Sequence, residues 1–188
     1  MARRRGSRKK VIDDVEHALS SAYRLLIFRD RSENELRSRL MEKGYSPEVV
    51  EQAIHILKSE SLIDDLEFAR SFVRSRNAKG LVPGMIVRQL VVKFGIDRPI
   101  AEEAVNSEYD PEIAVREVRR MMTGKLLSLL RFKGLMALHG ENLDRVRRNL
   151  AGFAIRRGFP QHQAFRMADE VIKSVLRQTV EEIQGEIT

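Results

Sequence analysis

Asp64 and Asp65 stand side by side. Among the adjacent carboxylates of this chain, theirs is the pair that tempts an acid–base reading. The same doublet also fits a helix start, one carboxylate capping orphan backbone N–H groups and the next lying in the first turn, where acids suit the dipole. We adopt the second reading. The four histidines, His17, His55, His139 and His162, show no i,i+4 pairing and no carboxylate at metal-ligand spacing. No phosphate-cradling glycine loop, dinucleotide fingerprint or nucleophile elbow can be read. The absence of cysteine removes disulfides and thiolate metal sites. These residues point away from an enzyme and imply neither a cofactor nor a metal.

The basic residues carry more information. Arg29, Arg31, Arg37 and Arg39 sit among nearby acids and read as a solvated face. Arg70, Arg74, Arg76 and Lys79 fall on one helical stretch. Arg119, Arg120, Arg145, Arg147, Arg148, Arg156 and Arg157 cluster further on. Residues 113–180 hold 14 basic against five acidic residues, a surplus of +9. That cluster reads as an anion-binding surface, because the guanidinium fork suits phosphate and carboxylate alike. The candidate contact residues are Arg70, Arg74, Arg76, Lys79, Arg119, Arg120, Arg145, Arg148, Arg156 and Arg157. Arg145 and Arg148 are i,i+3 neighbours on one face, whereas Arg147 points elsewhere.

These side chains are positioned by helices. In Arg31–Asp65, Ser32 stands three residues before Glu35, the capping-box spacing. Leu36 and Leu40 follow at helical spacing, and Lys43-Gly44 makes a stop. Ser46-Pro47-Glu48 restarts a helix with cap, first-turn proline and acid. The unit recurs. Aligning Gly44 with Gly95 matches Tyr45 with Ile96, Val49 with Ile100, Ala53 with Ala104 and Ile54 with Val105. Aligning it with Gly158 matches Tyr45 with Phe159, Val50 with Ala164 and Leu57 with Val171. The glycines are 51 and 63 residues apart, long enough for three helices per copy.

The expected organisation is a basic arm over 1–10 carrying +6, three-helix units over 11–63, 64–109 and 110–180, and a tail over 181–188. The helices are expected at about Asp13–Phe28, Ser32–Lys43 and Ser46 onward, then from Asp64 to Lys79-Gly80. After a turn at Pro83-Gly84 come Ile86–Phe94 and Asp97 to about Ser107, and further on Leu143–Arg157 and Gln161–Arg177. Residues 124–142 are apolar and basic, and either extend the helix begun at Asp110-Pro111-Glu112 or form an amphipathic insert. At 43% hydrophobic but 6% aromatic, the composition fits small repeated cores of Leu, Val, Ile and Ala. No apolar run reaches the roughly 18 residues needed to span a bilayer. A cytoplasmic monomer with no membrane partner is expected. No strand is expected; the fold class is all-α.

The chain resembles the RecX family of bacterial recombination regulators. The resemblance rests on Leu25-Leu26 with Arg29–Leu36, on Leu40 to Lys43-Gly44-Tyr45, and on Leu62-Ile63-Asp64-Asp65 with Phe68-Ala69 and Phe72-Val73-Arg74. Lys79-Gly80, Gly95-Ile96 and Arg156-Arg157-Gly158-Phe159 extend it over about residues 15–175. Residues 124–142 are longer and more apolar than the family pattern, and Leu90 and Lys93 sit one residue off the spacing before Gly95. The resemblance implies an elongated, curved array of three tandem three-helix repeats. It also implies binding to the RecA filament and inhibition of its recombinase and ATPase activities in DNA repair, with contact to single- or double-stranded DNA. Two alternatives stay open: a DNA-binding regulator using basic helix-turn-helix-like units, and a helical-repeat scaffold without a nucleic-acid role.

Overall fold

The computed structural model describes residues 14–134 and 138–185, with side chains described through residue 181. The basic arm of residues 1–10 lies outside the described residues. Nine α-helices follow one another among those described: α1 Val15–Phe28, α2 Glu33–Lys43, α3 Pro47–Ser59, α4 Asp65–Asn77, α5 Pro83–Phe94, α6 Arg98–Glu108, α7 Pro111–Lys133, α8 Glu141–Ile155 and α9 Gln161–Gly185. No strand occurs among the described residues, and the fold is an all-α helical repeat.

Side-chain caps set the helix starts. Asp14 accepts from the His17 N–H at 3.0 Å, Ser32 from Glu35 at 3.2 Å and Asp110 from Glu112 at 2.8 Å. Asp64 accepts from Leu66 and Glu67, as its reading as a cap requires. Left-handed glycines set the stops. Gly44, Gly95 and Gly158 have φ of 99°, 67° and 94°. After each, a buried apolar residue donates back into the finished helix: Tyr45 to Leu40, Ile96 to Leu90 and Phe159 to Ala154. The first and third are six-to-one Schellman bonds. The second reaches one residue further back, which is the structural counterpart of the displaced Leu90 spacing.

Two boundaries differ from expectation, and between them an alternative left open over 124–142 is decided for residues 124–133. Pro83-Gly84 is not a turn but the first turn of α5, because a proline needs no N–H at the first helical position. Residues 124–133 extend α7 rather than forming an insert; Gly134, at φ 62°, ends it. The helix α9 runs on to Gly185, past the expected end at Arg177, since Gln178 to Gln184 contain no helix breaker.

The packing resolves into two compact units. The first comprises the described residues up to Phe72 together with Val87–Ser107. Its core joins α1, α2 and α3 through Leu36, Leu40, Tyr45, Val50, Ile54 and Leu57, with Ala18, Ala22 and Ala53 fully buried. Each such leucine contributes about 1.5–3 kcal/mol by burial. Phe68, Phe72 and Phe94 form a separate ring cluster in this unit, with centroids 5.0–6.4 Å apart. The second unit comprises Val73–Ile86 and the residues from Glu108 onward. Its core joins α7, α8 and α9 through Val118, Met122, Leu126, Leu150, Phe153 and Met167.

Candidate functional site

In the first unit, the two sequence blocks Arg29–Leu36 and Leu62–Ala69 meet. Ser32 is fully buried, and its hydroxyl donates to the Phe94 carbonyl at 2.7 Å while accepting from the Glu35 N–H. Asp65 accepts from the Glu33 N–H at 2.8 Å. Asp65 is therefore a second cap for α2 supplied from α4. Sequence reasoning missed this contact, because spacing shows only partners within one helix. Burial pushes the Asp65 carboxyl above its ordinary pKa, with the Glu33 N–H working against that rise. Burial also pushes on Glu35, but the Arg29 guanidinium, hydrogen-bonded to it at 3.0 Å, holds its pKa below the usual value. Glu33 behaves likewise under Lys58 and Arg37. These carboxylates work as fasteners, and no group of three potential ligands for a metal ion occurs among the described residues.

The ten basic candidates separate by what their charges already touch. In the first unit, Arg70 reaches Glu67 and Glu103 at 3.8 and 3.7 Å. In the second, Arg74 pairs with Glu108 at 3.1 Å, Arg119 with Glu170, and Arg120 with Glu117 at 2.8 Å. Arg76 is half-buried near the end of α4, and Lys79 is exposed just beyond it. Arg157 lies flat on the Phe153 ring, 3.6 Å from its centroid, and donates to the carbonyls of Lys79 and Phe153. Burial, with the adjacent Arg156 charge, pulls its pKa down. Arg157 thus ties α8 to the turn after α4, where the Val82 N–H also donates to the Arg157 carbonyl at 3.0 Å.

Four candidates remain as exposed cations with no ion pair among the described residues: Lys79 just beyond α4, and Arg145, Arg148 and Arg156, grouped on α8 or at its C-cap. The reason is the phase of the helix. Val146, Leu150 and Phe153 are buried, and Leu143 packs against the same core, which turns Arg145 and Arg148 outward. Arg147 falls on the flank instead. It forks onto Asp169, with one bond at 2.9 Å, and sits over the Phe165 ring at 5.0 Å. The Arg147 hydrogen bond holds the Asp169 pKa below the usual carboxylate range. The outcome is a strip of unpaired guanidinium groups along α8, with Glu141 and Asp144 beside Arg145 and Arg148, that can receive phosphate or carboxylate oxygens without first breaking an internal salt bridge.

No helix among the described residues is long and apolar enough to cross a membrane. Comparison with known proteins gives one consistent answer. A model of the first three-helix domain of RecX matches residues 18–57. The regulatory protein RecX of Amycolatopsis mediterranei is 34% identical over 155 residues, covering 82% of this chain and 80% of that protein. The one from Streptomyces coelicolor is 30% identical over 177 residues, covering 94% and 84%. The one from Prosthecochloris aestuarii is 37% identical over 97 residues; the match spans 52% of this chain and 64% of that relative's length. The crystal structure of RecX from Lactobacillus salivarius superposes with a TM-score of 0.62 at 20% identity, covering 85% of this chain and 95% of that one, a likeness of fold.

Proposed function

Since the chain belongs to the RecX family, we propose that it binds the RecA recombinase filament and inhibits its recombinase and ATPase activities. The observation that supports this reading most directly is the α8 strip. Arg145, Arg148 and Arg156 stay exposed and free of ion pairs among the described residues, while most of the other candidates already serve salt bridges or backbone carbonyls. A regulator that acts by contact needs unspent charge on its surface, because a cation paired internally gains little by exchanging one carboxylate for another. The relatives quoted above are named regulatory proteins, which agrees with action by binding rather than by chemistry.

The test is a titration of RecA ATPase on single-stranded DNA with the native chain and with Arg145→Glu/Arg148→Glu. Both positions are exposed, so melting should move by no more than about 0.5 kcal/mol per substitution. Inhibition should weaken at least tenfold, the effect of losing about 1.4 kcal/mol. A folded double variant that inhibits like the native chain would remove α8 from the mechanism and shift attention to Arg70, Arg74 and Arg76. Inhibition that vanishes whenever naked DNA is in excess would favour a direct DNA-binding regulator instead.

A further inference from the structure

Beside the α8 strip, the second unit opens a groove of about 970 Å³ between α7 and α8. Its floor is the outer surface of the core: Met121, Leu126, Leu129, Val146 and Leu150. Its rim carries four cations, Lys125 and Lys133 on α7, Arg148 on α8 and Arg156 at the α8 C-cap, and its lining contains no carboxylate. On each wall the two cations are eight residues apart, about 12 Å along a helix. None of the four forms an ion pair among the described residues; Lys125 instead lies over the Phe153 ring at 5.0 Å. At the mouth, the Phe132 ring is 88% exposed, the most exposed of the large apolar side chains described. Two glycines widen the walls: Gly124, whose position has no neighbouring atom within 4 Å, and Gly152.

We propose that this groove seats a helical protein segment with apolar side chains at i, i+4 and i+7, flanked by Asp or Glu about two turns apart. The apolar floor between two helices matches the helix-in-groove mode of recognition, and the carboxylate-free rim supplies the sign of the partner. A small ligand fits less well. The uncharged polar lining is Ser128 and Asn149, whereas small-molecule pockets converge several placed polar groups on one point. Single-stranded nucleic acid fits less well too. Such sites stack successive bases on a series of rings, whereas this lining has two, of which Phe153 is buried under Lys125 and Phe132 alone protrudes. Resting on the reading above, the segment belongs to the protein of the RecA filament rather than to its DNA.

The experiment replaces Phe132 with photoreactive benzoylphenylalanine in the full chain and irradiates it on RecA filaments assembled on labelled single-stranded DNA. The expected product is a protein–protein adduct whose crosslinked peptide carries acidic residues around apolar anchors. Gly124→Phe, which fills the groove without altering charge, should lower filament affinity and adduct yield at least tenfold, as should Lys133→Glu/Arg156→Glu. An adduct with the labelled DNA would overturn the proposal in favour of a nucleic-acid groove. So would a filament-bound chain that gives no adduct, or a folded Gly124→Phe variant that binds as the native chain does. A native chain that does not bind the filament fails the functional reading itself, and the groove's assignment falls with it.

Discussion

Glycine shows how much one residue's meaning depends on what surrounds it. Gly95 and Gly124 are indistinguishable as letters. Gly95 has φ 67°, and a Cβ built there would stand 2.2 Å from the Asn34 side-chain nitrogen. Gly124 lies inside α7 with nothing within 4 Å. The same substitution should therefore act in opposite directions. Gly95→Ala forces an L-residue into the left-handed region, at about 1–2 kcal/mol, and adds an overlap with Asn34, so a loss of more than about 2 kcal/mol is expected. Gly124→Ala removes backbone entropy from the unfolded chain at a position an alanine can adopt, and a gain of about 0.5–1 kcal/mol is expected. Paired urea melts measure both. The left-handed role of Gly95 was legible from its place between two apolar stripes. Its contact with Asn34 was not, because 61 residues separate them and no local spacing encodes that meeting. Arg157 makes the same point: as a letter it joined a basic cluster, and in the fold its charge is spent on Phe153 and two carbonyls.

At the level of the element, most helix starts were legible because caps are local. Ser32, Ser46, Asp64 and Asp110 all do what their spacing indicates. The α5 start was misplaced because Pro-Gly signals a turn and a helix beginning equally well, and packing rather than propensity decides between them. What spacing could not show is that the caps differ in reach. Ser46 caps its own helix, with its hydroxyl 3.4 Å from the Val49 N–H. Ser32 caps α2 and also satisfies the Phe94 carbonyl at the end of α5, from a fully buried position. Ser46→Ala should therefore lose about 1 kcal/mol, the ordinary value of an N-cap. Ser32→Ala should lose about 2–4 kcal/mol, because a buried carbonyl left without a donor adds about 1–3 kcal/mol to the cap. Denaturant titrations of the two variants under one buffer decide it; equal losses would mean that the Phe94 carbonyl finds water or another donor once the hydroxyl is gone.

Across the whole molecule, charge is the property that sequence states most fully and structure then sorts. The net +7 divides into +6 on residues 1–10 and +1 on the remaining 178. Within the folded body, carboxylates at close range absorb Arg29, Arg37, Arg74, Arg119 and Arg147. Composition counts these side chains as cations, while a partner would meet them as neutral pairs. The α8 strip, with Lys125 and Lys133 across the groove from it, and the six cations of the arm are two reserves of positive charge. They should act differently. The strip is set on a helix whose opposite face is buried, so the spacing of its cations is fixed by the backbone and they can make specific contacts. The arm has six cations and no apolar anchor, so its contribution should be long-range attraction. Deleting residues 1–10 should weaken binding to single-stranded DNA or to the RecA filament mainly at low ionic strength. If all six cations meet phosphates, the slope of log affinity against log salt should fall by up to about 4, at roughly 0.7 per phosphate on a single strand. Above about 0.15 M salt, where the screening length is about 8 Å, the native and truncated chains should converge. Binding isotherms for both chains over a salt series measure this directly. A deletion that weakens binding by the same factor at every salt concentration would mean that the arm makes fixed contacts and belongs with the α8 strip as part of the recognition surface.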